Sequence, residues 1–359
     1  MDAKDGMDAL LAHAKQLDAS DVHFTAGLPV QIRVRGAWQN LGDVRLAAAD
    51  CEVVGQALCR SQEAWERFRE EQEYDTAYSI AGVGRFRVNL FFQRGSVGAA
   101  CRSLPIDIPY FEDLGLPEER MEELSSLSHG LVLVCGATGS GKSTTLAAMV
   151  GYINRTRRAH IVTIEDPIEF LHRHGQSIVD QREVGLDTHS FTAAMRHALR
   201  QSPDVVLIGE IRDAETVRTA VMLAETGHLV LSSLHSAEAS QALSRLTDIF
   251  PTDQQEEIRV TLAAVLRAIL VQQLLPGRAA DHGLVLAYEL LLGNGAVQAT
   301  IRQGRFEQLY SQMQTMQQEG MSTMNQSLLA LLRQEEITPE TALARSPRLK
   351  EMQQLLKTL

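Results

Sequence analysis

Apolar and polar residues follow successive rhythms along the chain. Met7, Leu10, Leu11 and Ala14 recur at helical spacing between Met7 and Lys15, and Asp18-Ala19-Ser20-Asp21 then breaks the pattern. Strict alternation follows. Val30, Ile32 and Val34 are set against Gln31, Arg33 and Arg35 and closed by Gly36, and residues 84–92 repeat the signature with Phe86, Val88 and Leu90 facing one way. Both stretches predict half-buried strands. Between them residues 47–71 predict helix, with Trp65 and Phe68 spaced for a core stripe. The first hundred residues therefore predict a small mixed α/β domain. Two prolines in Leu104-Pro105-Ile106-Asp107-Ile108-Pro109 disfavour both helix and central strand, which marks a hinge and a domain boundary near residue 110.

Beyond the hinge, short apolar runs at 131–135, 161–164, 205–208 and 229–232 are separated by helical stretches. That rhythm predicts a mostly parallel sheet covered by helices. A further strand is expected over 284–290, followed by a Gln- and Met-rich tail with helical periodicity from 306 to 332.

The run Leu131-Val132-Leu133-Val134-Cys135 leads directly into Gly136-Ala137-Thr138-Gly139-Ser140-Gly141-Lys142-Ser143-Thr144, which satisfies GxxxxGK[ST] at every fixed position. Glycines at 136, 139 and 141 let backbone N–H groups turn inward toward phosphates. Lys142 supplies a point charge, Ser143 a hydroxyl for Mg2+, and the following helix its positive dipole end. A nucleoside triphosphate such as ATP is the expected ligand.

Three further segments carry candidate chemistry. Asp204-Val205-Val206-Leu207-Ile208-Gly209-Glu210 is an apolar strand tipped by Glu210, and parallel sheets bind ligands at strand carboxyl ends. Glu210 is the candidate for a Mg2+ or water contact, against the plainer reading of a surface acid. Ile161-Val162-Thr163-Ile164 ends in Glu165-Asp166-Pro167-Ile168-Glu169, and Glu165 is the first candidate to polarise an attacking water. His228 and His235 flank the strand in Thr226-Gly227-His228-Leu229-Val230-Leu231-Ser232-Ser233-Leu234-His235-Ser236. Either histidine can be a packing residue or a hydrogen-bonding sensor of the γ-phosphate, and zinc-ligand spacing is missing.

Charge and composition narrow the function classes. A formal net charge of -11 and an aromatic content of 5% argue against a protein that grips nucleic acid by phosphate neutralisation and base stacking. No apolar run approaches the roughly 18 residues that cross a bilayer, and Met1-Asp2-Ala3-Lys4-Asp5 lacks the order of a secretory signal. A cytoplasmic protein is expected. Cys51, Cys59, Cys101 and Cys135 form no CxxC pair, so reduced, mostly buried thiols are expected.

In order, GATGSGKST, TIEDPIEF, DVVLIGEIRD and TGHLVLSSLHS resemble the Walker A, Asp box, Walker B and His box of the secretion ATPases that drive type IV pili and type II secretion. Ala19-Ser20-Asp21-Val22-His23, Gly84-Arg85-Phe86-Arg87-Val88-Asn89 and residues 181–188 are most similar to the pilus retraction branch, PilT and PilU. At 296–303 the chain reads AVQATIRQ where PilT usually carries AIRNLIRE, and the tail extends through residues 337–344, a pattern more like PilU or another paralogue.

The resemblance implies an α/β protein with an N-terminal PAS-like domain (1–106), a linker (107–115), a RecA-like P-loop ATPase domain (116–290) and a helical C-terminal region (291–359). It implies a homohexameric ring with ATP and Mg2+ as ligands, peripheral at the inner-membrane pilus base without inserting in it. An inner-membrane platform protein and a PilT paralogue are the implied partners, and nucleic acid is not. Mapped by motif, Arg87 and Arg102 are the candidates to compensate phosphoryl charge, with exposed strand charge as the alternative. Beside an independent retraction motor stand an accessory ring ATPase and, less favoured, a RecA-like nucleic-acid motor.

Overall fold

The structure, a computed structural model, describes residues 3–59, 61–105, 107–278 and 283–357, so the readings above that touch Met1, Asp2, Arg60, Ile106 and residues 358–359 lie outside it in part. The chain separates into two compact units, residues 1–107 with 169–171, and residues 108–168 with 172–359.

The first unit comprises α1 (Ala3–Gln16), β1 (Ala19–Phe24), β2 (Gln31–Val34), β3 (Ala37–Asn40), α2 (Ala48–Leu58), α3 (Gln62–Glu71), β4 (Glu73–Ile80), β5 (Gly84–Gln93) and β6 (Ser96–Ser103). Its six strands pair antiparallel in the order β3-β2-β1-β6-β5-β4. Alternation does what it predicts: Val22, Ile32, Phe86, Val88 and Leu90 are buried against Leu11, Leu58, Trp65 and Phe68 of the helices. The helical stretch expected over 47–71 is made of two helices. Cys59 turns extended, and Ser61 caps α3 by accepting from the Ala64 amide, which starts a second helix on a new axis.

On the other sheet face a charged row crosses the strands. In register stand Arg33 on β2, Asp21 on β1, Arg102 on β6 and Arg87 on β5. Arg102 Nε donates to Asp21 Oδ1 at 2.9 Å. Desolvation acts to raise the Asp21 carboxyl, but hydrogen bonds from Arg102 and Ser20 outweigh it and hold it below the usual carboxylate range.

The second unit opens with α4 (Glu118–Ser125), β7 (Gly130–Gly136), α5 (Lys142–Thr156), β8 (His160–Glu165), β9 (Ile178–Glu183), α6 (Phe191–Ala198) and β10 (Val205–Ile208). It continues with α7 (Ala214–Glu225), β11 (Leu229–Leu234), α8 (Ala239–Asp248), α9 (Gln255–Val265), β12 (Leu266–Pro276) and β13 (Leu284–Leu292). Helices α10 (Gly295–Arg302), α11 (Leu309–Thr315), α12 (Met324–Arg333), α13 (Pro339–Arg345) and α14 (Leu349–Leu356) close the chain.

The sheet order is β13-β12-β7-β11-β10-β8-β9, parallel throughout except for β13 against β12. β7 is buried on both faces: Leu131, Leu133 and Cys135 enter one core, Val132 and Val134 the other. α4 and α5 cover the second face, while α6 to α9 and the C-terminal helices cover the first. Burial pushes the Cys101 and Cys135 thiols up to about 12, so both stay protonated at neutral pH.

Two strands escape the sequence rhythm. β12 follows α9 without a break, because double-sided burial removes the period-two alternation that marks a strand. β9 is a polar edge strand between β8 and α6. The helical periodicity over 306–332 is likewise interrupted: Gly320 adopts φ +93 between α11 and α12, and Thr323 with Gln326 forms a capping box that starts α12.

Candidate nucleotide site

All the parallel strands deliver their carboxyl ends to one edge of the second sheet. β7 ends at Gly136 and passes into the loop 136–141, whose Gly136, Gly139 and Gly141 adopt φ of +146, +78 and +89. A Cβ on Gly136 would lie 2.4 Å from Ser140 Oγ and 2.6 Å from the Gln272 carbonyl oxygen. Gly136→Ala is therefore expected to cost about 1–3 kcal/mol from backbone conformation alone, with the contact added, read as a lowered Tm and lost thermal protection by nucleotide.

α5 begins at Lys142 behind Gly141, which gives it no side-chain cap, so its leading amides point at the loop. Lys142 Nζ donates to the carbonyls of Gly136 and Ala137 at 3.0 and 2.9 Å. Ala137, Thr138 and Gly139 are exposed, Ser140 is buried, and Ser143 and Thr144 are half-buried. Gln272 on β12 braces the loop from below: its Nε2 donates to Thr145 Oγ1 of α5 at 2.8 Å. Ser140 Oγ and Gln272 Oε1 are buried without a hydrogen-bond partner. Uncapped amides, an ammonium and the unpartnered Ser140 hydroxyl, which can donate, fit an anionic ligand that completes the loop.

β10 and β11 bring the next groups. Glu210 follows Ile208-Gly209, and the close approach of Gly209 to the Glu165 backbone suits a residue without a side chain, since a Cβ there would sit 3.3 Å from Glu165 Cα. Ser233 Oγ donates to the Gly209 carbonyl at 2.6 Å and stitches the ends of β10 and β11 together. Glu210 Oε2 accepts from Arg212 Nη2 at 2.9 Å, and Glu210 Oε1 stands 3.4 Å from His235 Nε2. Arg212 holds its proton more firmly for that contact.

Glu165 ends β8, where its Oε1 accepts from Thr163 Oγ1 at 2.6 Å and from Gln181 Nε2 of β9 at 3.2 Å. The second unit thus brings Glu165, Glu210, His235 and the loop 136–144 to one sheet edge. His228 is at the opposite end of β11, with Nδ1 2.9 Å from the Leu223 carbonyl at the end of α7, a packing position. Arg87 and Arg102 belong to the first unit, both exposed on its charged sheet face.

Sequence reasoning passed over Gln181, Arg212, Arg245 and Gln272 as site residues. Arg245 on α8 donates to the His235 carbonyl at 2.7 Å. Arg212 follows Glu210 by two residues, whereas only strand pairing and helix packing disclose the other three. For a metal, the described residues hold no group of three or more His, Cys, Asp or Glu. The Ser143 hydroxyl and the Glu210 carboxylate, both at this sheet edge, are oxygen donors of the kind that Mg2+ takes beside phosphate oxygens and waters.

The family described as Type II/IV secretion system protein matches residues 5–338. The chain belongs to the type II/IV secretion system protein family. Within that family it resembles Pseudomonas aeruginosa type IV pilus ATPase PilU, 40% identical over 98% of this chain and 91% of PilU. It equally resembles the type IV pilus retraction ATPase PilT of the same organism, 40% identical over 93% of this chain and 96% of PilT. A crystal structure of the pilus retraction motor PilT with bound ADP superposes with a TM-score of 0.89 at 46% identity, covering 97% of this chain and 98% of that one. The resemblance drawn from the four boxes is borne out, as is the α/β class of this secretion family member. No described helix is long and apolar enough to cross a membrane.

Proposed function

We propose that this chain hydrolyses ATP as a homohexameric motor of the type IV pilus system and powers pilus retraction. The observation that carries the reading is the convergence of a glycine-rich phosphate loop, two strand-end carboxylates and His235 at one sheet edge. The similarity to PilT and PilU over nearly the whole chain supports its assignment to pilus retraction.

In this mechanism the loop amides and Lys142 bind the outer phosphates of ATP, and the dipole of α5 favours their charge. When bound, Mg2+ supplies charge neutralisation across those phosphates, with Ser143 and Glu210 as the residues that would hold it. Glu165, oriented through Thr163 and Gln181, positions the attacking water and accepts its proton. His235 Nε2, beside Glu210, reports the γ-phosphate to β11 and α8. Arg87 and Arg102 compensate charge on the transferring phosphoryl as the first domain closes, residues 107–115 act as the hinge, and closure passes around the ring. The stroke acts on an inner-membrane platform protein, with the motor peripheral to the membrane.

The direct test is phosphate release by purified protein with magnesium, alongside retraction in cells. His235→Ala is expected to lower turnover about 10²-fold, with nucleotide affinity nearly unchanged; equal loss of binding and folding would return His235 to a packing role.

One observation favours a second reading, an accessory PilU-like ATPase. α13 and α14 lie past residue 338, where the family match ends, and the similarity to PilU spans more of this chain than that to PilT. Retraction restored in a strain lacking all related ATPases supports the independent motor; restoration only beside PilT supports the accessory role.

A further inference from the structure

Glu289 lies in the middle of β13, 1% exposed, and no step above uses it. It pairs in register with Val271 on β12, which pairs with Cys135 on β7, which pairs with Leu234 on β11. Cys135 and Leu234 immediately precede Gly136 of the phosphate loop and His235. The carboxyl therefore sits in the row directly beneath the nucleotide edge.

What it holds there is the head of α8. The residue before α8 is Glu238, whose side chain makes no capping hydrogen bond. The missing cap comes from fifty residues away, because Ala239 N–H donates to Glu289 Oε1 at 2.8 Å. α8 in turn grips the His235 backbone through Arg245, and Ser236 Oγ donates to the Glu238 carbonyl at 3.0 Å. We propose that Glu289 is a positioning residue of the nucleotide site, fixing the head of α8 and through it the placement of His235 against Glu210. This rests on the ATPase reading above and adds to it the part of the fold that keeps His235 in place.

The groups facing Glu289 come from several elements. Burial is the largest influence and pushes its carboxyl up to about 7; the Ala239 amide, the Met324 amide at the head of α12 and Arg348 oppose this, while Glu238 reinforces it. The Cys135 thiol also lies within its electrostatic reach. Glu289 Oε2 closes no hydrogen bond, so one carboxyl oxygen alone holds the head of α8. A carboxyl lifted from 4.5 favours the folded state fully below about 4.5, and the advantage is lost as pH rises through about 7. Wild-type Tm is thus expected to fall relative to Glu289→Gln between those limits; a constant gap would show that the carboxyl does not titrate there and would remove this pH dependence.

The deciding experiment measures ATP turnover of the full chain with Glu289→Gln, which keeps an oxygen for Ala239, and Glu289→Leu, which does not. Glu289→Leu is expected to lower kcat about 10- to 100-fold, the size of a misplaced catalytic group. KM for ATP and the activity of Glu289→Gln should stay within about twofold of wild type. Amide exchange at Ala239 should rise in the Leu variant alone. Should Glu289→Leu fail to fold, Glu289→Asp, too short to reach Ala239, is expected to show the same kcat loss. Undiminished kcat with unchanged exchange in folded Leu or Asp variants overturns the inference. An inactive wild-type protein would instead sink the ATPase reading, leaving the exchange measurement to judge the role of Glu289.

Discussion

Replacing Lys142 with alanine is expected to lower ATP turnover by about 10²–10³-fold or more and to weaken nucleotide binding with it. Lys142 is the first residue of α5, and its ammonium donates to two loop carbonyls at the mouth of the glycine turn. Triphosphate presents more negative charge than those carbonyls, so the ammonium turns to the phosphates when the ligand enters. Alanine is the strongest helix former and sits at a half-buried position, so α5 and its buried residues Leu146, Met149 and Ile153 stay in place. The expected signature is a wild-type melting curve without ligand, no upward shift on adding ATP, and phosphate release near background. Wild-type turnover in this variant would refute the enzymatic reading.

Glu210→Gln is expected to separate binding from chemistry. The amide is nearly the same shape and still offers an oxygen to Arg212, so β10 and its junction with β11 survive. What disappears is the negative charge between Arg212 and His235 that, in the proposed mechanism, would hold Mg2+. Turnover should drop about 10²–10⁴-fold, the range for removing a positioned charge or proton-handling group, while nucleotide still raises Tm. A fluorescent nucleotide titration beside a phosphate-release assay distinguishes the two variants: Lys142→Ala loses both signals and Glu210→Gln only the second. Loss of nucleotide binding in folded Glu210→Gln would move Glu210 from chemistry to ligand capture.

The local signals of this chain lie open in its sequence because they arise from neighbouring residues. Strand alternation at Phe86, Val88 and Leu90, the glycine loop at 136–141, and the capping residues Ser190 and Asp213 before α6 and α7 each act over a few positions. The charged tip of each strand is equally readable, since parallel strands put their carboxyl ends on one edge whatever their order. Strand order itself is a long-range property. β12 inserts next to β7 although Leu266 lies 135 positions beyond its partner Leu131, and only that pairing puts Gln272 beneath the phosphate loop.

Several outcomes trace to the same distinction. The helical stretch over 47–71 divides where the Ser61 hydroxyl accepts from the Ala64 amide, a local event that the apolar stripe of Trp65 and Phe68 conceals. Gln181 came to Glu165 by the pairing of β9 with β8, and no spacing in the chain foretells it. His228 and His235 look alike in sequence, flanking one strand. The direction of β11 separates them, leaving one at the α7 end and one beside Glu210.

The amino-acid order by itself determined the two α/β parts, the phosphate loop and the family, because these are written in short-range periodicity and fixed spacing. Tertiary structure alone decided that a buried carboxyl from β13 caps α8, that Arg245 grips His235, and that Arg87 aligns with Arg102 across two strands. Those contacts depend on which elements burial drives together, and burial is a property of the whole packed sheet rather than of any one segment.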